Sequence, residues 1–218
     1  MTPAPDLEVL IAGHARARGE KGAGAALPYR VLESGLELAD KPDGLTHLFD
    51  NRSLVPKGHP AIRFRGRLDL LQAQVLDAQF AAQSEGLADV VADLEDVLRF
   101  LRQMLGAEVS GRPMPELSVG GFSGEELHRL SHNTMKFFGV GWVVPDVTMG
   151  PTAIKLNLLR ATCREVEIAA EDAYGDESHL SPANRDAMLH GLNRLSNAVY
   201  VLVCKVVARK KGQAPGNS

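Results

Sequence analysis

Apolar side chains recur at intervals of three and four residues from about residue 66 to residue 209 of this 218-residue chain. This spacing lines one face of an α-helix and constrains the fold more than any other feature. Glycine and proline interrupt it, so that five helical stretches begin near Gly66, Val90, Ser123, Pro151 and Pro182. Short connections between such helices are typical of a bundle. We therefore predict an all-α fold, a five-helix bundle with an irregular N-terminal segment.

Capping signals mark the starts of three of these helices. Ser123 is followed three residues later by Glu126, the spacing of a capping box. Pro151 suits a first helical turn, and Ser181-Pro182 places a cap before another such proline. The run Val199–Cys204 is apolar and β-branched and alone could form a strand. Its position inside a long capped helical pattern favours helix.

The N-terminal part gives weaker signals. Asp6–Ala17 has weak helical spacing, and Tyr29–Leu38 reads as a short strand or an extended arm. Residues 45–64 mix proline and glycine with basic side chains, which indicates an irregular segment. The organisation we expect is an extension, a bundle domain and a disordered tail, over residues 1–40, 41–209 and 210–218.

Composition excludes several classes of protein. The net charge is −3, so we expect no nucleic-acid partner. No apolar run reaches the roughly 18 residues of a membrane helix, and the N-terminus lacks a secretory pattern, so we expect a cytoplasmic protein without a membrane partner. Cys163 and Cys204 cannot build a disulfide scaffold or a four-cysteine zinc site. We expect both thiols to be buried in the core.

The fourth predicted helix carries a charged stripe within an otherwise largely apolar circumference. Arg160, Arg164, Glu167 and Glu171 fall on one face. A largely buried helix would turn such a stripe toward a partner chain or a polar cavity. The alternative is a solvated face with ion pairs between successive turns.

A basic segment precedes the bundle. Five cations in about twenty residues suit a polyphosphate, because several positive groups can reach different oxygens; they are Arg52, Lys57, Arg63, Arg65 and Arg67. The alternative is an ordinary basic loop. The two standard glycine-rich nucleotide loops are absent from the sequence.

Glu125, His128 and His132 form the one constellation that suggests a metal. Glu125 and His128 make a Glu-x-x-His motif, and His132 follows one turn later. A di-metal carboxylate bundle needs two such motifs and two further glutamates, and the sequence offers one motif. We therefore favour a structural role for both histidines, with a di-metal bundle as the alternative.

Several motifs together resemble the ATP:cob(I)alamin adenosyltransferases of the propanediol-utilisation type. Arg160–Glu167 and Asn193–Ser196 resemble the two C-terminal signatures of that family. Lys57–Pro60 and Gly66–Asp69 are similar to its N-terminal nucleotide segment.

The ethanolamine-utilisation type of the same family is a closer match. Its own motifs are similar to Leu45–Leu48, Glu126–His132, Asn157–Arg160 and Leu192–Ser196. The resemblance covers about residues 41–208.

This resemblance implies a five-helix bundle that binds ATP between the subunits of a homo-oligomer, a trimer or a dimer. It implies that Asp69 pairs with Arg160 across the subunit interface and that Trp142 contacts the corrinoid. Arg160, Arg164 and Asp69 are then the catalytic residues. The residues implied to hold ATP or its metal also include Thr46, Lys57, Glu167, Asn193 and Arg194.

The implied activity transfers the 5′-deoxyadenosyl group of ATP to cob(I)alamin, with Mg²⁺ accompanying ATP. The implied partners are a cobalamin reductase and a B12-dependent enzyme such as ethanolamine ammonia-lyase, and the implied location includes a bacterial microcompartment. We assign no transition-metal site, because the His and Cys cluster of some ethanolamine-type members has no counterpart here. A non-catalytic corrinoid or nucleotide binder is the alternative, motivated by departures such as Leu70.

Overall fold

The computed structural model describes residues 28–175 and 179–213. The chain divides between Arg63 and Phe64 into two compact units. The first holds a four-stranded sheet of order β2-β1-β4-β3, built from β1 (Tyr29–Val31), β2 (Glu37–Leu38), β3 (Leu45–His47) and β4 (Ser53–Pro56). β1 pairs parallel with β4, and the other two pairings are antiparallel. Val31, Leu45 and Leu54 are fully buried and form its core.

The positions of these strands confirm one prediction for the N-terminal part and contradict another. Tyr29–Leu38 contains β1 and β2, so the strand alternative is confirmed there. The expectation of an irregular segment over 45–64 is wrong, because β3 and β4 form a hairpin. Asp50 closes this hairpin by accepting hydrogen bonds from the backbone N–H groups of Arg52 and Ser53. Those bonds hold the pKa of Asp50 below its usual value.

The second unit is helical, and the all-α prediction is confirmed for it. The helices are α1 (Pro60–Ser84, which starts in the first unit), α2 (Ala88–Ser110), α3 (Gly124–His132), α4 (Thr134–Phe138), α5 (Pro151–Tyr174) and α6 (Pro182–Gln213). Two-residue strands β5 (Ser118–Val119) and β6 (Phe122–Ser123) pair before α3. None of the helices in the described part of the chain is both long and apolar enough to cross a membrane.

Helix α6 is the centre of the bundle. It packs against α2, α3, α4 and α5. At Gly191 it approaches α2 so closely that an added Cβ would lie 2.8 Å from Phe100 Cζ. Val199–Cys204 lies within α6, so the helical reading of this run is confirmed. Both cysteines are free and buried, as expected, and burial raises the pKa of the Cys163 thiol to about 12.

Helix boundaries follow the capping signals with one exception. The Ser123 capping box is present, and Ser181 Oγ accepts a hydrogen bond from the N–H of Asn184. The third predicted helix, however, is broken at Asn133 into α3 and α4. The Asn133 side chain donates to the carbonyl of Arg129 at 3.0 Å, and such a local bond competes with helix continuation.

The remaining boundary differences lie at the ends of the bundle. α1 begins at Pro60 rather than near Gly66, and α6 continues past Arg209 to Gln213. The weak helical signal over Asp6–Ala17 and the last five residues of the predicted tail lie outside the described residues.

Candidate functional site

A cavity of about 620 Å³ lies where α5 and α6 meet, with α3 at its edge. Three residues that the sequence assigns to ATP binding line it together, namely Arg164, Glu167 and Asn193. The other lining residues are His128, Ile168, Glu171, Leu189, Ser196 and Asn197. We call this cavity the α5–α6 cleft.

The polar side chains of the cleft are held by hydrogen bonds. Asn193 Nδ2 donates to Glu167 Oε1 at 2.8 Å, which joins α6 to α5. Asn197 Nδ2 donates to the carbonyl of Asn193, and Ser131 Oγ donates to Asn197 Oδ1. Side chains fixed in this way form a pre-organised polar surface for a ligand.

Arg164 lines the cleft with an exposed guanidinium. It makes no hydrogen bond or ion pair to any residue in 28–175 or 179–213. No ion pair joins the four members of the charged stripe, which are all within the described residues. Three members of the stripe, Arg164, Glu167 and Glu171, line the α5–α6 cleft, whereas Arg160 does not.

Arg194 faces a different surface. Its Nε donates to Glu125 Oε1 at 2.9 Å, and its Nη1 donates to Asn193 Oδ1 at 3.0 Å. It lines a neighbouring groove of about 390 Å³ that also contains Glu125 and His190. The structure thus does not bring Arg194 into the α5–α6 cleft with Arg164, Glu167 and Asn193.

The side chains of Arg160 and Trp142 both contact the ring of Tyr200, a residue that the sequence patterns did not single out. The Arg160 guanidinium lies 6.0 Å from the centroid of the Tyr200 ring, and the Trp142 ring lies 5.3 Å from it. Tyr200 Oη accepts a hydrogen bond from the N–H of Val143, which anchors the Trp142 loop. Trp142 itself is 76% exposed. Tyr200 follows Asn193 by seven residues and so shares its helix face, which is the signal that could have found it.

Asp69 lies exposed on α1, where its carboxylate accepts a hydrogen bond from Gln72 at 3.4 Å. Within the described chain it makes no ion pair with Arg160. The implied pairing was between subunits, so it stays a prediction.

Thr46 and Lys57 lie in the first unit, on the β3–β4 hairpin. Thr46 pairs with Val55, and the N–H of Lys57 donates to the carbonyl of Gly44 at 3.0 Å, which extends the hairpin beyond β4. The Lys57 side chain is exposed. The hairpin therefore presents both residues on a hydrogen-bonded scaffold.

Three of the five cations of the basic segment make ion pairs with glutamates of this chain. Arg52 pairs with Glu37 at 2.9 Å. Arg67 pairs with Glu165 at 2.7 Å, and Arg65 pairs with Glu108 at 2.7 Å. These ion pairs are interactions within the fold.

The Arg65–Glu108 pair is the centre of a buried polar cluster. Glu108 is fully buried and accepts hydrogen bonds from Arg65 and from Tyr174 Oη at 2.8 Å, with His179 Nε2 at 3.2 Å. Burial opposes ionisation of Glu108, but the bonds from His179 and Arg65 outweigh it and hold its pKa below the usual value. The cluster ties α1, α2 and α5 together.

Glu125, His128 and His132 make contacts with neighbouring side chains of the fold. The His128 and His132 rings lie 4.3 Å apart, and Glu125 is engaged by Arg194 and by His190 Nε2 at 3.2 Å. In the described ranges, no three His, Cys, Asp or Glu side chains gather as a metal-binding group.

The α5–α6 cleft and the Trp142–Tyr200–Arg160 contact are thus both built on α5 and α6. The chain belongs to the cobalamin adenosyltransferase family, whose model matches residues 38–206. It is 34% identical over 176 residues to the corrinoid adenosyltransferase EutT of Escherichia coli K12, covering 79% of this chain and 62% of the relative. With EutT of Salmonella typhimurium LT2 the identity is 33% over 172 residues, 78% of this chain and 61% of the relative. The chain thus spans less than two thirds of the length of these relatives.

Proposed function

We propose that this protein transfers the 5′-deoxyadenosyl group of ATP to cob(I)alamin. The observation that carries the proposal is the α5–α6 cleft of a chain of the cobalamin adenosyltransferase family. In it, a carboxylate and an amide meet an arginine that has no ion-pair partner among the described residues. The cobalt lone pair of cob(I)alamin attacks C5′ of ATP and forms the Co–C bond. The C5′–O bond breaks, and its electron pair leaves with triphosphate.

This chemistry needs no nucleophile or base from the protein. It needs cations along the leaving triphosphate, where negative charge develops, and two reactants held in line. We assign the first role to Arg164, Arg160 and Lys57. The exposed guanidinium of Arg164 supports its assignment, because it can make paired hydrogen bonds to phosphate oxygens without breaking an ion pair to any residue that the structure describes.

The cleft also suits Mg²⁺ that arrives with ATP. Mg²⁺ in nucleotide sites is bound by one or two carboxylates together with phosphate oxygens. Glu167 and Glu171 provide two carboxylates in the cleft, and Asn193 fixes one of them. We propose that Glu167 and Asn193 hold ATP or its metal, and that Thr46 contributes to nucleotide binding.

We place the corrinoid beside Trp142. An exposed indole supported by Tyr200 offers an apolar surface to a corrin ring, and Arg160 lies at its edge. Burial raises the pKa of Tyr200 and keeps its phenol neutral.

We further propose a homo-oligomer, a dimer or trimer, with Asp69 paired to Arg160 of a neighbouring subunit. Large apolar side chains are exposed on two helices, which is typical of surfaces that a partner covers; they are Leu70, Leu76 and Phe80 on α1, and Ile154, Leu158 and Ile168 on α5.

The biological setting follows from the same family. We propose a cytoplasmic enzyme, with a cobalamin reductase supplying cob(I)alamin and a B12-dependent enzyme such as ethanolamine ammonia-lyase receiving the product. Association with a microcompartment is part of this proposal. The similarity to the corrinoid adenosyltransferase EutT supports the corrinoid as the substrate in this setting.

The test mixes the purified protein with Mg·ATP and chemically reduced cob(I)alamin under anaerobic conditions. The absorbance spectrum of adenosylcobalamin should develop with multiple turnovers. ATP binding without product would contradict the proposal and favour a non-catalytic binder. Stoichiometric iron or manganese in the purified protein would instead revive a di-metal bundle.

A further inference from the structure

A chain of hydrogen bonds leads from the surface of α3 to the α5–α6 cleft. Glu125 accepts from Arg194 Nε at 2.9 Å, and Arg194 Nη1 donates to Asn193 Oδ1 at 3.0 Å. Asn193 Nδ2 then donates to Glu167 Oε1 at 2.8 Å. We call these four residues the relay. It links three helices and ends on a carboxylate that lines the cleft.

The chemistry of the relay fixes the orientation of the Asn193 amide. A guanidinium can only donate hydrogen bonds, so it must face the amide oxygen. The Glu167 carboxylate, when ionised, can only accept, so it must face the amide nitrogen. If the amide were flipped, its nitrogen would face the Arg194 donor and its oxygen would face the Glu167 carboxylate, so both hydrogen bonds would be lost. Arg194 therefore holds Asn193 in the one orientation that also restrains Glu167.

Arg194 needs a partner of its own to keep this position. Its side chain is only 18% exposed, whereas that of Glu125 is 64% exposed. Glu125 lies in the first turn of α3, which the Ser123–Glu126 capping box fixes. An added Cβ at Gly124 would lie 3.3 Å from Arg194 Cβ and Cγ, so the start of α3 and Arg194 are in close approach.

Glu125 is also ionised when it forms this contact. Hydrogen bonding and charge attraction from Arg194 hold the pKa of Glu125 below its usual value. Near neutral pH it therefore presents a carboxylate that accepts from Arg194.

We infer that Glu125 and Arg194 are positioning residues for the nucleotide site: they orient Asn193 and Glu167, and Arg194 does not itself contact ATP. This inference rests on the proposed function, and it assigns to ATP binding a surface glutamate that the sequence suggested only as a metal ligand. Removal of the Glu125 charge should loosen the relay and weaken ATP binding.

The test compares Glu125→Gln with Glu116→Gln, a matched control. Glu116 lines the same groove as Glu125 and is exposed, and it makes no hydrogen bond or ion pair to any residue that the structure describes. We expect Glu125→Gln to raise the Kd and KM for Mg·ATP about three- to tenfold. This is smaller than the usual effect of losing a residue that orients a ligand-binding side chain, because the Arg194–Glu125 pair is partly exposed to solvent. The kcat and the circular dichroism spectrum should change little. Glu116→Gln should behave as wild type.

An Asn193→Ala background separates positioning from simple helix stabilisation. If Glu125 acts through Asn193, the Glu125→Gln effect on the ATP Kd should largely disappear in that background. Glu125→Asp, which keeps the charge, should recover part of the affinity.

The outcomes distinguish this inference from the proposed function. A wild-type protein that binds ATP and forms adenosylcobalamin, with Glu125→Gln matching Glu116→Gln, would overturn the positioning role alone. An equal effect with and without Asn193 would also overturn it. A wild type that binds no Mg·ATP would overturn the proposed function and this inference together.

Discussion

Replacing Arg164 with alanine should separate catalysis from stability. Arg164 is exposed and has no hydrogen-bond or ion-pair partner among the described residues, so its loss should change the free energy of unfolding by less than about 0.5 kcal/mol. A cation aimed at developing charge contributes about 3 kcal/mol to the transition state, which corresponds to roughly a hundredfold in rate. We therefore expect adenosylcobalamin formation to fall about a hundredfold or more.

The assay is the initial rate of adenosylcobalamin formation at saturating Mg·ATP, paired with a urea unfolding curve. Arg102→Ala is the control, because Arg102 is an exposed arginine of α2 without a hydrogen-bond or ion-pair partner in the described part of the chain. Arg164→Lys keeps the charge but loses the paired donors, so it should recover only part of the rate. A rate for Arg164→Ala within about threefold of Arg102→Ala would refute the assignment of Arg164 to the triphosphate.

Three further predictions concern the buried cluster and the exposed indole. Glu108→Gln leaves the Arg65 cation without its buried anion and should lower the free energy of unfolding by about 3 kcal/mol in urea titrations. Glu165→Gln, which breaks the exposed ion pair with Arg67, should lower the free energy of unfolding by less than about 1 kcal/mol. Equal losses of stability in the Glu108 and Glu165 variants would contradict the prediction. The pKa of Glu108 is lowered from 4.5, so its contribution to stability is present above about pH 4.5 and is lost as the pH falls through the folded value. In Glu108→Gln this part of the acid dependence of unfolding should be missing. Trp142→Ala should raise the KM for cob(I)alamin about tenfold while the KM for ATP stays within twofold. A raised KM for ATP with an unchanged KM for cob(I)alamin would contradict the placement of the corrinoid beside Trp142.

The helices were predictable because their signals are local. Ser123, Pro151 and Ser181 mark helix starts through bonds and backbone angles that involve only neighbouring residues. The stripe containing Arg164 and Glu167 was predictable for the same reason, since helical spacing alone places both on one face. The sequence could not choose between a cavity and a solvated face, because that depends on where α6 packs.

The errors come from partners that are distant along the chain. Arg65 and Arg67 looked available to a ligand, but their acceptors lie on α2 and α5. In the sequence, Tyr200 is one member of an apolar run, and only the fold shows that Trp142 and Arg160 lie beside its ring. The break at Asn133 depends on a side-chain bond to Arg129 that periodicity does not register.

The most direct test of the central claim is the stoichiometry of the reaction. The protein is incubated with reduced cob(I)alamin and ATP labelled in the adenosyl group, and both products are quantified by chromatography. We expect one labelled adenosylcobalamin for each triphosphate released, over many turnovers. Unchanged ATP, or phosphate release without labelled corrinoid, would contradict it.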